Sequence, residues 1–172
     1  MNQDDNRFGP RLGIVLALLR GQSTLMLSTC DEAGWPQATP LFYYVDDDLG
    51  LYWFSAEHSA HSRHVLRDAR VAVTVSEPTD QWREIRGVQM RGEASVITGS
   101  MRKTIKALYC GRFDLGTTFR LAIMQSTLFR FRPSWIRYID NTRGLGYKFE
   151  ISLPERTSGP GPTETETCKA GT

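Results

Sequence analysis

The sequence lacks any apolar run long enough to cross a membrane. Its closest candidate, residues 12–19, has eight residues, whereas a membrane-spanning helix needs about 20. Asp4 and Asp5 precede this stretch where a signal peptide would carry basic residues, and no small-residue cleavage site follows it. We therefore expect a cytoplasmic protein with no transmembrane helix and no membrane partner.

Cysteine and an excess of one charge are also scarce. The 172 residues include three cysteines, Cys30, Cys110 and Cys168, and their unrelated spacings are typical neither of a disulfide framework nor of a zinc site. Twenty-one basic residues face 19 acidic ones, which leaves a formal net charge of +2. This balance does not favour a nucleic-acid-binding surface, so we expect no nucleic-acid partner.

A catalytic constellation is missing as well. Neither a Ser-His-Asp set nor a pair of carboxylates can be assembled from the order of residues. His58, His61 and His64 are close in sequence. However, each step of three residues turns a helix by about 300°, so the side chains of His58 and His64, two steps apart, would point about 120° apart. We therefore predict no metal site, and any redox chemistry would have to come from a bound cofactor.

The sequence does contain a series of strand patterns near its start. Residues 24–30, 37–45 and 51–55 are rich in aliphatic, aromatic and β-branched residues. They are separated by segments 31–36 and 46–50, which are rich in turn formers. This order predicts an antiparallel meander.

The rest of the chain predicts further strands and a few helices. Residues 12–19 have the apolar spacing of a helix that ends at Gly21. The other predicted elements are a helix opened by Ser59, strands at 70–75 and 85–97, a helix capped by Ser100 with Met101, Ile105 and Leu108 buried, a helix at 117–124, a strand at 127–139 bulged at Pro133 and Ser134, a turn at Gly144 and Gly146, and a strand at 145–153.

Length and composition favour a single domain. At 172 residues with 40% hydrophobic residues, the chain can build one well-buried core. We expect residues 1–10 to be flexible and residues 11–153 to form the domain. Residues 154–172 are mostly Pro, Gly, Thr and Glu, so this tail is predicted to be disordered.

Ser59 is the first candidate for a binding role. The first turn of a helix carries N–H groups without intrahelical acceptors and a partial positive charge, and both suit a phosphate group. A serine at this position is also a common helix cap. The residues alone leave both interpretations open.

The order of these segments resembles the pyridoxamine 5'-phosphate oxidase-like, FMN-binding split-barrel superfamily. The shared pattern is a strand, Asp-x-x-Gly-x-Pro at residues 31–36, a second strand, a hairpin, an aromatic third strand, a serine opening a helix, and a Val-rich strand. The resemblance extends from about Thr24 to Leu153, and segments 85–94 and 138–148 are most similar to an uncharacterised branch. It implies a mostly β, antiparallel, Greek-key-like split barrel that binds FMN.

The resemblance also implies which residues contact the flavin. They are Thr39, Pro40, Leu41, Phe42, Tyr44, Phe54, Ser55, Ser59, Ala60, His61 and Gln89. Where the oxidases have Arg and Lys on the second strand, this chain has Thr39 and Tyr44, and their Arg-Lys pair in the helix is replaced by Ala60 and His61. His61, Arg63 and Arg86 are the candidates to restore part of that positive charge.

Several functions are compatible with this pattern. The first is an FMN-dependent oxidoreductase acting on a small molecule. The alternatives are a non-catalytic flavin- or haem-binding or sensing dimer, and a cofactor-free relic of the fold. A true pyridoxamine 5'-phosphate oxidase is not expected, because the Arg-containing substrate segment and the closing Arg-Leu-x-Pro of those enzymes are missing after Leu153.

A homodimer with ligand sites between the subunits is expected as well. On the second and third strands, Phe42, Tyr44, Tyr52 and Phe54 point opposite to Leu41, Tyr43, Leu51 and Trp53, so both faces are apolar. One barrel interior covers only one face. The other face is therefore expected to meet a second subunit.

Overall fold

Antiparallel strands, four α-helices and two short 3-10 helices (Trp82–Glu84 and Asn141–Arg143) form the regular structure of the described residues. The computed structural model describes residues 9–113 and 116–154, except for the side chains of residues 118 and 119. In chain order the elements are α1 (Gly9–Gly21), β1 (Thr24–Cys30), β2 (Pro36–Phe42), β3 (Tyr44–Val45), β4 (Leu51–Ser55), α2 (Ala60–Arg67), β5 (Arg70–Ser76), β6 (Arg86–Ile97), α3 (Gly99–Arg112), α4 (Thr117–Met124), β7 (Thr127–Asp140) and β8 (Lys148–Ser152).

The strands form one sheet, and the chain connects its two end strands directly. Its strand order is β2-β1-β5-β6-β7-β4-β3, with β8 paired to β7, and the pairings are antiparallel. The strands at the two ends, β2 and β3, are consecutive in the chain and are separated only by Tyr43. The predicted mostly β split barrel is thus confirmed.

The predicted meander is confirmed, but its second strand is broken. That strand pairs with the first through β2 and with the third, β4, through β3, and β4 also forms a ladder with β7. The break is at Tyr43, whose side chain is fully buried and whose hydroxyl donates to the Leu19 carbonyl at 2.5 Å. This anchor bends the predicted second strand, so that its two halves belong to opposite ends of the sheet.

The core fills the barrel and continues under α1. Val15 and Leu19 of α1 are fully buried together with Leu27, Trp53 and Phe129 of the strands. The predicted helix is confirmed, although it begins at Gly9 and so includes two residues assigned to the flexible start. Residues 1–8 and nearly all of the predicted tail lie outside the described residues. No described helix is both long and apolar enough to cross a membrane.

Helix α3 differs from its prediction in cap and face. Thr98 occupies the N-cap position without a side-chain capping bond, and Ser100 lies inside the first turn, so the predicted Ser100 cap is wrong. Met101 and Leu108 are each 45% exposed, whereas Ile105 and Tyr109 are buried. The buried face follows Tyr109, because its ring packs on the sheet and its hydroxyl donates to the Phe42 carbonyl at 3.1 Å.

The long antiparallel ladder between β6 and β7 contains the predicted bulge. Gly92 pairs with Pro133 while Arg91 pairs with Trp135, which leaves Ser134 as the extra residue. A Cβ at Gly92 would lie 1.9 Å from the Arg132 carbonyl oxygen, so only glycine fits there. The last strand begins at Lys148, three residues later than predicted, because Gly144 and Gly146 extend the turn with φ values of 128° and 73°.

Candidate functional site

Helix α2 begins beside the end of β4 and positions a group of polar side chains. Its N-cap is Ser59, whose extended backbone turns the chain and whose hydroxyl accepts from the Ser62 N–H at 3.3 Å. The N–H groups of Ala60 and His61 occupy the first two helical positions, which have no intrahelical acceptor. The predicted cap is confirmed, and it leaves two backbone donors at the helix start.

Four side chains form what we call the hydroxyl–imidazole cluster: Ser55, Ser59, His61 and Ser62. Nε2 of His61 lies 2.6 Å from Oγ of Ser55 and 3.2 Å from Oγ of Ser59. The Ser55 and Ser59 hydroxyl oxygens are 3.2 Å apart, and Ser59 donates to Oγ of Ser62 at 2.8 Å. Ser55 and Ser62 are buried, whereas Ser59 and His61 are half-buried, so these two form the accessible side of the cluster.

The cluster provides hydrogen-bonding groups without a fixed charge. Burial, followed by the nearby His64, lowers the pKa of His61 below its ordinary value, so its imidazole is neutral at pH 7. The two arginines considered as substitute cations are engaged elsewhere. Arg63 donates to the His58 carbonyl at 2.7 Å, and Arg86 forms an ion pair with Glu77 at 2.6 Å.

The three histidines occupy three different environments. His64 is buried, and its Nδ1 lies 3.0 Å from the hydroxyl of buried Thr29, which connects α2 to β1. His61 belongs to the cluster, and His58 is exposed. Across residues 9–113 and 116–154, no three His, Cys, Asp or Glu side chains are grouped as metal ligands would be.

The predicted residues of the second strand divide between two faces. Thr39 and Leu41 pair with Leu27 and Leu25, which are core residues, so their side chains point inward. Pro40 and Phe42 are the intervening residues and point outward, with Phe42 45% exposed. The structure therefore does not bring these four side chains to one surface.

Gln89 lies on the outer face of the sheet. The register places it in one row with Thr74, Met26 and Pro40, and residues that pair directly share a face. Three strand spacings separate Gln89 from Pro40, or about 14 Å. Its side-chain oxygen lies 3.5 Å from a guanidinium nitrogen of Arg137 on β7. Gln89 is thus grouped with the outward residues of β2.

Helix α3 covers part of the surface that was expected to face a partner. The ring of Tyr109 lies 5.1 Å from the ring of Phe54, between centroids, in an edge-on arrangement. Tyr44 and Phe54 pack on the small core of Tyr52, Ile105 and Leu128. The chain itself thus covers Tyr44, Tyr52 and Phe54, which were expected to face a second subunit, while Phe42 on the same face stays 45% exposed.

An open groove lies next to the strand end that carries Ser55. It has a volume of about 370 Å³ and is lined by Glu57, Leu66, Val96, Ile97, Thr98, Arg102, Ser126, Thr127 and Leu128. Thr127 pairs with Ser55, which places one wall of the groove beside β4. Arg102 donates to the Ser126 carbonyl at 2.8 Å, and its guanidinium lies 5.3 Å from the centroid of the Phe54 ring.

Sequence reasoning missed Ser62 and Tyr109. Ser62 is three residues after Ser59, the spacing at which an N-cap side chain meets the third helical residue, so it could have been included. Tyr109 is four residues after Ile105, which is the spacing of one helix face. Arg102 gave no sequence signal, because its position on the groove depends on how α3 packs.

Comparison with known proteins identifies relatives of the whole barrel. The family model described as pyridoxamine 5'-phosphate oxidase matches residues 15–140. A UPF0306 protein of Serratia proteamaculans is 28% identical over 125 residues, which is 72% of this chain and 83% of that protein.

Solved structures share the fold at low sequence identity. A haem-binding protein from Mycobacterium smegmatis superposes with a TM-score of 0.67 and 14% identity, over 78% of this chain and 55% of that one. A candidate pyridoxamine 5'-phosphate oxidase from Listeria innocua superposes with a TM-score of 0.59 and 18% identity, over 73% of this chain and 94% of that one.

Proposed function

Because the chain belongs to the pyridoxamine 5'-phosphate oxidase family, we propose that it binds FMN and acts as a flavin-dependent oxidoreductase on a small molecule. The observation that carries this proposal is the hydroxyl–imidazole cluster at the start of α2. FMN would supply hydride and electron transfer when bound, and the chain would orient it.

The cluster fits the hydrogen-bonding needs of a phosphate ester. The N–H groups of Ala60 and His61 are donors without a helical acceptor, and the hydroxyls of Ser55 and Ser59 lie beside them. The positive end of the α2 dipole favours an anion there. What the cluster lacks is a permanent cation, so we expect weaker binding than a site with Arg or Lys would give.

The flavin ring would lie outside the cluster. Pro40 and Phe42 face outward on β2, and the Phe42 ring packs on Phe113 at 5.2 Å between centroids while remaining 45% exposed, whereas Tyr44 and Phe54 are covered by α3. The exposed side of Pro40 and Phe42 is where a planar ring would lie. Gln89 is on the same outer face but about three strand spacings away. In a homodimer, which we also propose, Gln89 of a second copy would be a donor for a ring bound at the subunit interface.

Haem is a second candidate ligand. The solved structure of the Mycobacterium smegmatis haem-binding protein supports it, because it has the same fold with a TM-score of 0.67. A neutral histidine is the form that ligates iron, and His61 is neutral at pH 7. However, Nε2 of His61 lies 2.6 Å from the Ser55 hydroxyl and so already has a hydrogen-bond partner. The cluster therefore suits the phosphate of FMN better than the iron of haem.

Reconstitution tests these alternatives. The purified protein is mixed separately with FMN and with haemin, desalted, and examined by visible absorption; any flavin complex is then exposed anaerobically to nicotinamide nucleotides. We expect a retained flavin spectrum that bleaches on reduction. Retention of haem alone would support the haem-binding alternative, retention of unreduced flavin a non-catalytic binder, and retention of neither a relic.

Sedimentation equilibrium tests the homodimer. We expect a species of twice 19.5 kDa at low micromolar concentration. A stable monomer that binds FMN would show that the proposed interface site is wrong.

A further inference from the structure

His61 is the one ionisable group of the hydroxyl–imidazole cluster. Its partners there, Ser55 and Ser59, are serine hydroxyls 2.6 Å and 3.2 Å from its Nε2. A dianionic ligand at this position would thus meet neutral groups, unless His61 takes up a proton.

Among the groups around the cluster, His61 itself is the one that would take up this proton. On its own helix, the neighbouring His64 disfavours the imidazolium of His61, and His64 lies 3.0 Å from the Thr29 hydroxyl of β1. From β4, His61 meets the hydroxyl of Ser55. Among the described residues of β1, β4 and β6, no carboxylate is a cause of the shift in the pKa of His61. A bound anion would therefore be the main group to stabilise its charged form.

Protonation would also change the direction of a hydrogen bond. In the neutral imidazole, Nε2 is able to accept the proton of the Ser55 hydroxyl across their 2.6 Å contact. Once Nε2 carries a proton it can only donate, so Ser55 becomes the acceptor and its own O–H is released to donate to Oγ of Ser59, 3.2 Å away. One proton thus adds a positive charge to the site and reverses the hydrogen bond between His61 and Ser55.

We propose that His61 is a specificity-determining residue that takes up one proton from solvent when a phosphate monoester binds at the cluster, so that preference for phosphorylated ligands increases as pH falls. The inference rests on the proposed FMN site. The gain in affinity is complete below the pKa of His61 in the free protein and is lost as pH rises through its higher pKa in the complex. Between these limits the dissociation constant changes by up to about tenfold per pH unit.

Titration of FMN from about pH 5.5 to about pH 8.5 tests this proton uptake. The phosphate itself gains a proton with a pKa of about 6, so wild type is compared with His61→Lys, whose charge is fixed. The ratio of the wild-type to the His61→Lys dissociation constant removes the titration of the ligand. We expect this ratio to increase with pH, by up to about tenfold per unit.

Two controls separate His61 from other titrations. His58→Gln removes an exposed histidine three residues away and should follow the wild type. Riboflavin, which lacks the phosphate, should bind with the same affinity across the range. A ratio that does not change with pH, while FMN still binds, would overturn the proton uptake and leave the proposed function standing.

Absence of FMN binding at every pH would instead overturn the proposed function. The inference is then decided by NMR titration of the His61 imidazole with and without inorganic phosphate. A higher His61 pKa in phosphate supports the inference, and an unchanged value overturns it.

Discussion

The hydroxyl–imidazole cluster and the outer face of the sheet differ in the polar side chains they contain. On the outer face, the ring of Trp135 lies between the guanidinium groups of Arg91 and Arg137, at 4.4 Å and 4.9 Å from its centroid. Arg137 also forms an ion pair with Glu150 at 2.8 Å. The cluster has buried hydroxyls and a neutral imidazole instead.

The difference follows from the cost of desolvation. Burying a fixed charge costs several kcal/mol unless it is fully paired, whereas a buried hydroxyl needs only a hydrogen-bond partner. Arginine is therefore inexpensive on the solvated outer face. The partly buried hydroxyl–imidazole cluster at the start of α2 contains serine and histidine side chains instead. The comparison predicts that removing a buried polar group lowers the free energy of unfolding more than removing an exposed charge does.

The largest expected effect on stability is at Gly92, where the β6–β7 bulge depends on backbone geometry. In Gly92→Ala, the new Cβ would meet the Arg132 carbonyl oxygen at 1.9 Å, so the β6–β7 bulge must rearrange. We expect a loss of about 3 kcal/mol or more in the free energy of unfolding, measured by urea denaturation. Gly111→Ala is the matched control, because no atom lies within 4 Å of its added Cβ. Equal stability of the two variants would show that the bulge does not require glycine.

An intermediate effect is expected where α2 joins β1. Thr29→Val removes the hydroxyl that lies 3.0 Å from Nδ1 of buried His64 and leaves this nitrogen without that partner. We expect a loss of about 1–3 kcal/mol in unfolding free energy by urea denaturation. Thr74→Val, on the exposed face of β5, is the control and should change little. A Thr29→Val protein as stable as this control would contradict the assigned role of the buried pair.

The smallest effect is expected at the exposed Arg137–Glu150 pair. The hydrogen bond from Arg137 lowers the pKa of Glu150, so any stabilisation is present above the ordinary glutamate pKa and is lost as pH falls through the lowered value. Glu150→Gln should leave the melting temperature at pH 7 nearly unchanged, because exposed ion pairs contribute little. A decrease as large as that of Thr29→Val would reverse the comparison between the two regions.

The elements of the fold and the pairing of the first three predicted strands followed from local sequence patterns, whereas the break in the second strand did not. The alternation in residues 24–30 and the turn at residues 31–36 predicted β1 and its hairpin to β2, because both signals lie within a few residues. The exchange of partners at Tyr43 was not predictable, since it depends on a contact with Leu19, 24 residues earlier. The Tyr109 face of α3 likewise depends on Phe42 and Phe54, which are distant in sequence.

The candidate site, like the fold, was predictable where its signal lies within a few residues of sequence. The Ser59 cap and the nearby His61 could be identified because a helix start has a recognisable pattern. The division of residues 39–42 between two faces follows from the register of β2 on β1, which the alternation of the strand already implied. The neutral state of His61 depends on burial and on His64, and so required the three-dimensional structure.

The most direct test of the central claim compares FMN with riboflavin, which differ only in the phosphate. In the wild type we expect FMN to bind about 10–100-fold more tightly, the effect of one or two charge-assisted hydrogen bonds. In the Ser59→Ala/His61→Ala double variant this preference should decrease, because Ser55 and the backbone N–H groups of residues 60 and 61 are the donors that remain, and His58→Ala should retain the wild-type ratio. A double variant that still prefers FMN by the wild-type ratio would place the phosphate elsewhere and contradict the account.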